Sequence, residues 1–279
     1  MLVLKDISSA KVAGLVVIIG IIILLILTKN SQAVMRAMVG QEINLRTAGF
    51  SEVESEHFII RYTPIDEQYV AAIASASDQS YAEVTKLFEY YPSQKTILVV
   101  YPDTVSLAKS FGWDKNEKAM GVYWAGSIRI LSPGQWVTGE IENEFYKEGP
   151  MVHEFAHLLV DDLTKGNYNR WWTEGVAQYV EKKITGFQFA NPFANGQPIT
   201  YYKFSELEKS FDKLNQSIAY WQSLQIVEYI VDNYGEDRIF TILEHLGQGN
   251  NMSQAIEKSL LVKYDTFVNG FYAGLENNN

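Results

Sequence analysis

Short apolar runs and longer amphipathic stretches alternate in the first half of the chain, which predicts strands and helices in turn. The two clearest runs, 58–62 (Phe-Ile-Ile-Arg-Tyr) and 96–101 (Thr-Ile-Leu-Val-Val-Tyr), are rich in strand-forming residues and have the length of single strands. Between them, Asp66 can cap a long helix that Pro92 ends. The predicted elements are strands at 58–62 and 96–101, helices at 66–91 and 105–111, and a strand or hairpin at 122–131.

From Pro150 onward the apolar positions recur with helical spacing. Pro150 suits the first turn of a helix, because the N–H that proline lacks has no partner there. This helix is predicted to end near Gly166, and Gly235 and Gly247 predict the ends of two later helices. The second half is therefore predicted to be helical, with helices near 150–166, 170–184, 204–214, 217–234, 236–247, 253–261 and 265–274.

The N-terminus contains an unbroken run of apolar residues and glycines at 12–27. Its length is near the lower limit for a membrane-spanning helix, and it is longer than the apolar core of most signal peptides. We therefore expect a single-pass membrane anchor, with the following domain outside the cytoplasm. The alternative is a signal peptide cleaved at the small-x-small site 31–33, which would give a secreted protein.

The predicted organisation has three parts: an anchor or signal segment (1–33), a polar-to-amphipathic connector (34–56) and a folded domain (57–279). With 279 residues, of which 47% are hydrophobic, the chain can form one sizeable core. The formal net charge of −10 argues against nucleic acid as a partner. Cysteine is absent, which excludes disulfides and thiolate metal sites, so any metal must be held by histidines and carboxylates.

Two histidines four residues apart, with a glutamate beside the first, form the most informative motif of the chain. In the sequence His153-Glu154-Phe155-Ala156-His157, a helix projects both imidazoles from one face, one turn apart. Two neutral imidazoles that converge in this way are a natural chelate for zinc. The adjacent Glu154 then lies where it can take a proton from a metal-bound water. The motif therefore predicts a zinc (Zn2+) site in which Glu154 is not a ligand.

A catalytic zinc ion usually has three protein ligands and one open position. The metzincin extension of the motif does not supply the third ligand, since Val160 and Leu163 stand where its glycine and histidine would be. Glu174 is the best candidate, because it lies 17 residues after His157 on the next predicted helix. Two antiparallel helices joined by a short loop would bring its carboxylate to both imidazoles.

The two motifs, His-Glu-x-x-His at 153–157 and Trp-x-x-Glu-Gly at 171–175, together resemble those of the gluzincin metallopeptidases, in particular the peptidase MA-like family. Residues 121–130 resemble the family's edge strand, and 219–223 (Ala-Tyr-Trp-Gln-Ser) resemble its downstream helix. The resemblance extends over residues 57–274 and implies an α+β, zincin-like fold. Such a fold has a small mixed β-sheet, an active-site helix and a helical C-terminal half, here preceded by the N-terminal transmembrane helix.

One position departs from the family pattern. Many gluzincins have an acidic residue four positions after the ligand glutamate, where it holds one zinc histidine by its second ring nitrogen. Here that position is Gln178. Asp161 and Asp162, about one turn after His157, are the candidates to replace it, because such contacts fix the imidazole tautomer and tune metal affinity.

The expected activity is hydrolysis of a peptide bond in a peptide or protein substrate. His153, His157 and Glu174 would hold zinc with one net positive charge, which activates a water molecule and polarises the scissile carbonyl. Glu154 would be the general base and would return the proton to the leaving amine. The strand predicted at 122–130 can either bind an extended substrate by edge pairing or be an ordinary strand of the sheet.

A further donor is needed for the oxyanion of the reaction, and the resemblance indicates Tyr220. Tyr123, Tyr168 and Tyr202 are competing candidates, since the chain has 17 tyrosines. The alternative function is a catalytically idle zincin module that keeps the metal and binds a peptide or protein partner at the membrane surface. A Glu154→Gln variant separates the two functions, because only the enzyme needs that base.

Overall fold

In the part of the chain that the computed structural model describes, residues 31–196, 198 and 200–277, five strands form one mixed β-sheet. The strand order is β1-β2-β3-β5-β4, in which the β2–β3 and β3–β5 pairs are parallel and both edge pairs are antiparallel. The small mixed sheet expected from the sequence is therefore present. Its strands are β1 (Ser51–Glu54), β2 (Phe58–Tyr62), β3 (Thr96–Tyr101), β4 (Gly121–Trp124) and β5 (Ser127–Leu131).

The strand predictions agree closely with the sheet. The runs at 58–62 and 96–101 are β2 and β3 to the residue, and the segment 122–131 is a hairpin in which the turn Ala125–Gly126 joins β4 to β5. Every residue of β5 is buried, and so are five of the six residues of β3. The sequence identifies β3 because a strand that is buried on both faces requires a continuous apolar run.

The helical second half is confirmed as well. The first long helix is shorter than predicted, because Asp66 lies in a preceding 3-10 turn (Pro64–Tyr69) and accepts a hydrogen bond from the Thr63 hydroxyl there. The helices are α1 (Ser31–Arg46), α2 (Val70–Phe88), α3 (Thr104–Ser110), α4 (Ile141–Glu148), α5 (Met151–Thr164), α6 (Arg170–Thr185), α7 (Phe204–Ser210), α8 (Gln216–Tyr234), α9 (Asp237–Gly247), α10 (Met252–Leu260) and α11 (Tyr264–Asn277).

The segment predicted as a connector, 34–56, contains regular structure. Helix α1 occupies its first part and strand β1 its last part, so the sheet begins before residue 57. The sequence does not reveal β1, because all four of its residues are exposed and they show no apolar alternation. The strand forms because its backbone pairs with that of β2 along its whole length.

The described chain divides into two compact units between Leu45 and Arg46, and the described part of the first unit is helix α1 up to Leu45. No helix among the described residues is long and apolar enough to span a membrane. The anchor predicted at 12–27 lies outside the described residues. The anchor and the membrane location inferred from it therefore stay predictions.

The orientation of helix α5 is fixed by an aromatic residue within the first motif. Phe155 is fully buried, and its ring lies 5.8 Å from that of Phe58 in β2 and 5.3 Å from that of Tyr81 in α2, measured between centroids. Burial of one such side chain stabilises a protein by about 1.5–3 kcal/mol. Because this contact sets the rotation of α5 about its axis, it also decides where His153 and His157 point.

Helix α6 is held on two sides. The fully buried ring of Trp171 packs on Phe204 of α7, with centroids 5.5 Å apart. On the other side α8 comes so close that a Cβ atom added to Gly175 would lie 2.4 Å from the carbonyl oxygen of Ser223. Only glycine permits this approach, because any side chain there would overlap the backbone of α8.

We expect Gly175→Ala to destabilise the protein, because the added methyl group overlaps the Ser223 carbonyl. Overpacking of this kind costs about 1–3 kcal/mol. At this chain length each kcal/mol lowers the melting temperature by about 2–4 °C. Thermal unfolding followed by circular dichroism measures the change. Gly49→Ala is the matched control, since an added Cβ atom there meets nothing within 4 Å; equal melting temperatures of the two variants would contradict the close packing of α6 and α8.

Candidate metal centre

Three buried side chains from two helices converge on one point. His153 and His157 lie one turn apart on α5, and Glu174 lies on α6. Their potential ligand atoms all lie within 4.8 Å of one another. The Oε2 atom of Glu174 is 3.5 Å from the Nε2 atom of each histidine. The structure thus brings together the three residues that the sequence predicts as metal ligands, and we call them the candidate triad.

The second ring nitrogen of each histidine has a partner of its own. The Nδ1 atom of His153 lies 3.0 Å from a carboxylate oxygen of Glu181, and that of His157 lies 2.6 Å from the hydroxyl oxygen of Thr173. An ionised carboxylate only accepts hydrogen bonds, so Nδ1 of His153 carries a proton, and Nε2 is the ring atom that faces Glu174. The contact with Thr173 fixes the ring plane of His157 in a similar way.

Glu181 makes the contact with His153 that the family pattern assigns to an acidic residue at position 178. Glu181 was not predicted from the sequence. Asp161 and Asp162, the candidates for this contact, do not make it; both accept hydrogen bonds from tyrosine hydroxyls instead. Glu181 lies seven residues after Glu174, which is two helical turns and hence the same face of α6. The spacing of seven residues is the signal that could have identified Glu181. The family pattern does not point to it, because that pattern places the acidic residue only one turn after the ligand glutamate.

The second carboxylate oxygen of Glu174, Oε1, faces a tyrosine and an arginine. The Tyr220 hydroxyl donates to it at 3.0 Å, and Nε of Arg170 lies 3.4 Å from it. Arg170 is held in turn by an ion pair with Asp212 at 2.6 Å. These contacts direct Oε2 of Glu174 toward the histidines, where it is buried and has no hydrogen-bond partner among the described residues.

The candidate triad consists of acceptor atoms that point at one another. With both imidazoles neutral, two lone pairs and a carboxylate oxygen meet in a buried site, and they repel one another unless a cation lies between them. In tetrahedral zinc sites with N and O ligands the ligand atoms are about 3.4 Å apart, which is close to the 3.5 Å found here. Two imidazoles and one carboxylate are also a known ligand set of catalytic zinc. The residues present therefore fit a zinc ion.

The pKa shifts of His153 and Glu174 reflect the opposite charges that the candidate triad brings together. Burial lowers the pKa of His153, but the carboxylates of Glu181 and Glu174 outweigh this effect and raise that pKa well above its usual value. Burial raises the pKa of Glu174, yet the two imidazoles lower it well below its usual value. The centre of the triad therefore favours positive charge.

Glu154 lies beside the candidate triad without belonging to it. It is buried in the first turn of α5, and its Oε2 atom accepts a hydrogen bond from the backbone N–H of Tyr123 in β4 at 2.5 Å. Burial raises the pKa of its carboxyl group, which makes the carboxylate a better proton acceptor than that of an exposed glutamate. This is the position that a general base requires, close to the metal ligands and separate from them.

Tyr220, the tyrosine expected to stabilise the oxyanion, lies at the candidate triad through its contact with Glu174. Burial raises the pKa of Tyr220, so its hydroxyl stays protonated and can donate. Of the competing candidates, Tyr123 directs its hydroxyl to Asp161, and the hydroxyl of Tyr202 accepts from a backbone N–H. Tyr168 lies in the loop between α5 and α6.

Comparison with known proteins gives one decisive match. The family model described as the Peptidase MA superfamily matches residues 76–272, which is more than half of the chain. The chain belongs to the Peptidase MA superfamily. Comparison with curated proteins gives no significant match. The resemblance to the peptidase MA-like family that the two sequence motifs indicate is therefore confirmed.

The matched range contains every element that builds the site of this Peptidase MA protein. It begins within α2, includes β3 to β5, α5, α6 and α8, and ends within α11, whereas β1 and β2 lie outside it. The candidate triad, Glu154 and Tyr220 all fall inside the range. The match agrees with the mixed α+β architecture, in which a small sheet precedes a helical second half.

We expect Glu174→Ala to remove most of the zinc from the protein, because two neutral imidazoles alone hold the ion far more weakly than a three-ligand set. The measurement is the zinc content per chain after loading and dialysis. Glu228→Ala is the control, since that glutamate pairs with Lys182 on the outer side of α6 and α8. If Glu174→Ala and wild type held equal zinc, Glu174 would not be a ligand.

We also expect Glu181→Gln to weaken zinc binding by about 10–100-fold while the site keeps its one-to-one stoichiometry, because loss of a carboxylate partner reduces the basicity of His153. Competition with a chromophoric chelator measures the dissociation constant. Glu228→Gln makes the same chemical change at a position remote from the histidines and should leave the constant unchanged. An unaltered constant for Glu181→Gln would show that its contact with Nδ1 does not tune the metal.

Proposed function

We propose that this protein is a zinc-dependent peptidase that hydrolyses peptide bonds within an extended peptide or protein segment. The observation that carries the proposal is the buried triad of His153, His157 and Glu174 with a further buried carboxylate, that of Glu154, directly beside it. Membership of the Peptidase MA superfamily supports the same class of reaction. A purely structural metal site would not need the additional carboxylate of Glu154, and it would usually have four protein ligands.

The candidate triad would bind the metal, and the neighbouring residues would hold its three side chains in position. Zinc, when bound, supplies a Lewis acid that polarises the scissile carbonyl and lowers the pKa of a water molecule. Glu181 and Thr173 orient the two imidazoles, and Tyr220 and Arg170 hold the free oxygen of Glu174. The ligands are thus preorganised, so little reorganisation accompanies the reaction.

Glu154 moves the proton of the reaction. As the oxygen atom of water adds to the carbonyl carbon, the Glu154 carboxylate takes one proton from that water. It then delivers the proton to the amide nitrogen as the carbon–nitrogen bond breaks, which yields a free amine and a carboxylic acid. Burial raises the pKa of Glu154, so its carboxylate takes up a proton more readily than that of an exposed glutamate.

As negative charge develops on the carbonyl oxygen, the Tyr220 hydroxyl would turn its single hydrogen from Oε1 of Glu174 toward that oxygen. This hydroxyl lies 3.0 Å from Oε1 of Glu174, at the border of the candidate triad. Its raised pKa keeps the proton on the phenol, so it can donate to a carbonyl oxygen that gains negative charge.

The edge strand β4 offers a place for the substrate backbone. The N–H of Leu131 in β5 donates to the carbonyl of Met120, so the backbone of Met120 faces β5. Along an antiparallel strand, successive residues direct their backbone N–H and C=O groups to opposite sides. The backbone groups of Gly121 and Tyr123 therefore point away from β5. The N–H of Tyr123 does point away, since it reaches Glu154. An extended peptide added along this edge would therefore lie beside the general base.

The decisive test compares Glu154→Gln with wild type on a library of internally quenched peptides. We expect the variant to keep its zinc and to lose at least about 100-fold in kcat, because it lacks the proton acceptor. Glu148→Gln, an exposed position just before α5, should retain wild-type turnover. Zinc-loaded wild type that cleaves no member of the library, and behaves like Glu154→Gln, would favour the alternative, an idle zincin module that binds a peptide or protein partner.

A further inference from the structure

Tyr123 joins the edge strand to the active-site helix at two points. Its backbone N–H donates to Oε2 of Glu154 at 2.5 Å, and its phenolic hydroxyl donates to Oδ2 of Asp161 at 2.6 Å. Glu154 and Asp161 are seven residues apart on α5, which is two helical turns, so both carboxylates leave the same face of the helix. One residue of β4 therefore contacts α5 over two turns.

The Tyr123 hydroxyl takes part in two hydrogen bonds, one with Asp161 and one with Gly126. Asp161 is buried, with 6% of its surface exposed, and its carboxylate makes the bond with Tyr123 a charge-assisted one. The same phenolic oxygen accepts a hydrogen bond from the backbone N–H of Gly126 at 2.9 Å. Since Gly126 belongs to the turn between β4 and β5, a chain of two hydrogen bonds links the tip of the hairpin to α5.

The other end of the strand also lies directly on the helix. A Cβ atom added to Gly121 would lie 2.5 Å from Cβ of Pro150 and 2.8 Å from Cγ of Glu154. The backbone of β4 thus contacts the first turn of α5 at a distance that only glycine allows. The strand is held against α5 by packing at Gly121 and by hydrogen bonds at Tyr123.

We propose that Tyr123 is a positioning residue of the peptidase reaction, and that it holds the substrate-binding edge at a fixed distance from the general base. This inference rests on the proposed function. Without the bond to Asp161 the hairpin tip is released from α5, and the N–H that orients Glu154 moves with it. A peptide bound along the edge then lies farther from the carboxylate that must take the proton. Misplacement of reacting groups by about 1 Å can cost 100-fold in rate.

The test uses the full-length, zinc-loaded protein and the variants Tyr123→Phe and Asp161→Asn. Phenylalanine removes the hydroxyl and keeps the ring, whereas asparagine keeps an oxygen that can accept from Tyr123. Tyr201→Phe is the matched control, because it removes a tyrosine–carboxylate bond of similar length (2.9 Å to Glu276) elsewhere in the protein. Amide hydrogen exchange of the hairpin, residues 120–131, is read by mass spectrometry, and kcat and KM are read on a cleaved peptide.

For Tyr123→Phe we expect exchange in the hairpin to become about tenfold faster, with the rest of the protein unchanged. We expect kcat to fall by about 10–100-fold with a smaller change in KM and with full zinc content. Asp161→Asn keeps an acceptor but loses the charge, so it should give smaller changes in the same direction, whereas Tyr201→Phe should stay close to wild type in all of these measurements. Unchanged hairpin exchange in Tyr123→Phe would overturn the proposal, and so would a uniform rise in exchange across the protein or an unchanged kcat.

Failure of this inference and failure of the proposed function give different results. If wild type cleaves no peptide, the peptidase assignment fails, and hairpin exchange in Tyr123→Phe still reports whether the connection to α5 exists. If wild type is active and Tyr123→Phe does not fold, Asp161→Leu removes the same hydrogen bond from the other side. An Asp161→Leu protein with normal hairpin exchange and normal kcat would then overturn the proposal.

Discussion

The site depends on one electrostatic constraint: three acceptor atoms are held against each other in a place from which water is largely excluded. The carboxylate oxygen of Glu174 lies 3.5 Å from each of the two imidazole nitrogens, and all three atoms lie within 4.8 Å of one another. Such an arrangement costs free energy unless a cation occupies the centre, so the surrounding residues must impose it. Glu181, Thr173, Tyr220 and Arg170 do so by binding the atoms of the three ligands that face away from the centre.

The packing of the protein brings further groups to this triad. Phe155 sets the rotation of α5, and Gly175 lets α8 approach α6 until the Tyr220 hydroxyl reaches Glu174. The same helix α5 carries Glu154, the proposed general base, on its first turn, where the backbone N–H of Tyr123 in the edge strand reaches it. The two histidines, the proposed base and the proposed substrate edge are therefore all positioned by helix α5, and rigid elements of this kind can hold reacting groups within a fraction of an ångström.

Much of the fold could be predicted from the sequence, because most of its elements are decided by local pattern. The central strands β2 and β3 were bounded correctly by their apolar runs, and most helices of the second half were bounded within a few residues by their spacing and stop signals. The helix predicted at 204–214 is the exception, because it ends at Ser210 and a 3-10 turn (Phe211–Lys213) follows. Strand β1 could not be predicted, since it is exposed along its length and exists only through pairing with β2. Helix α4 was missed as well; it is short and acidic, with Phe145 as its buried residue.

At the site, the sequence by itself determined the residues that are related by helical geometry. The spacing of four residues places His153 and His157 on one face, and a short loop to the next helix makes Glu174 their partner. Only the tertiary structure decided that Glu181 holds His153 and that Asp161 binds Tyr123 instead. Such contacts join side chains from different elements, and they depend on the distance and angle at which helices and strands pack. That geometry is set by the whole core, whereas the periodicity of a helix is contained in any few of its residues.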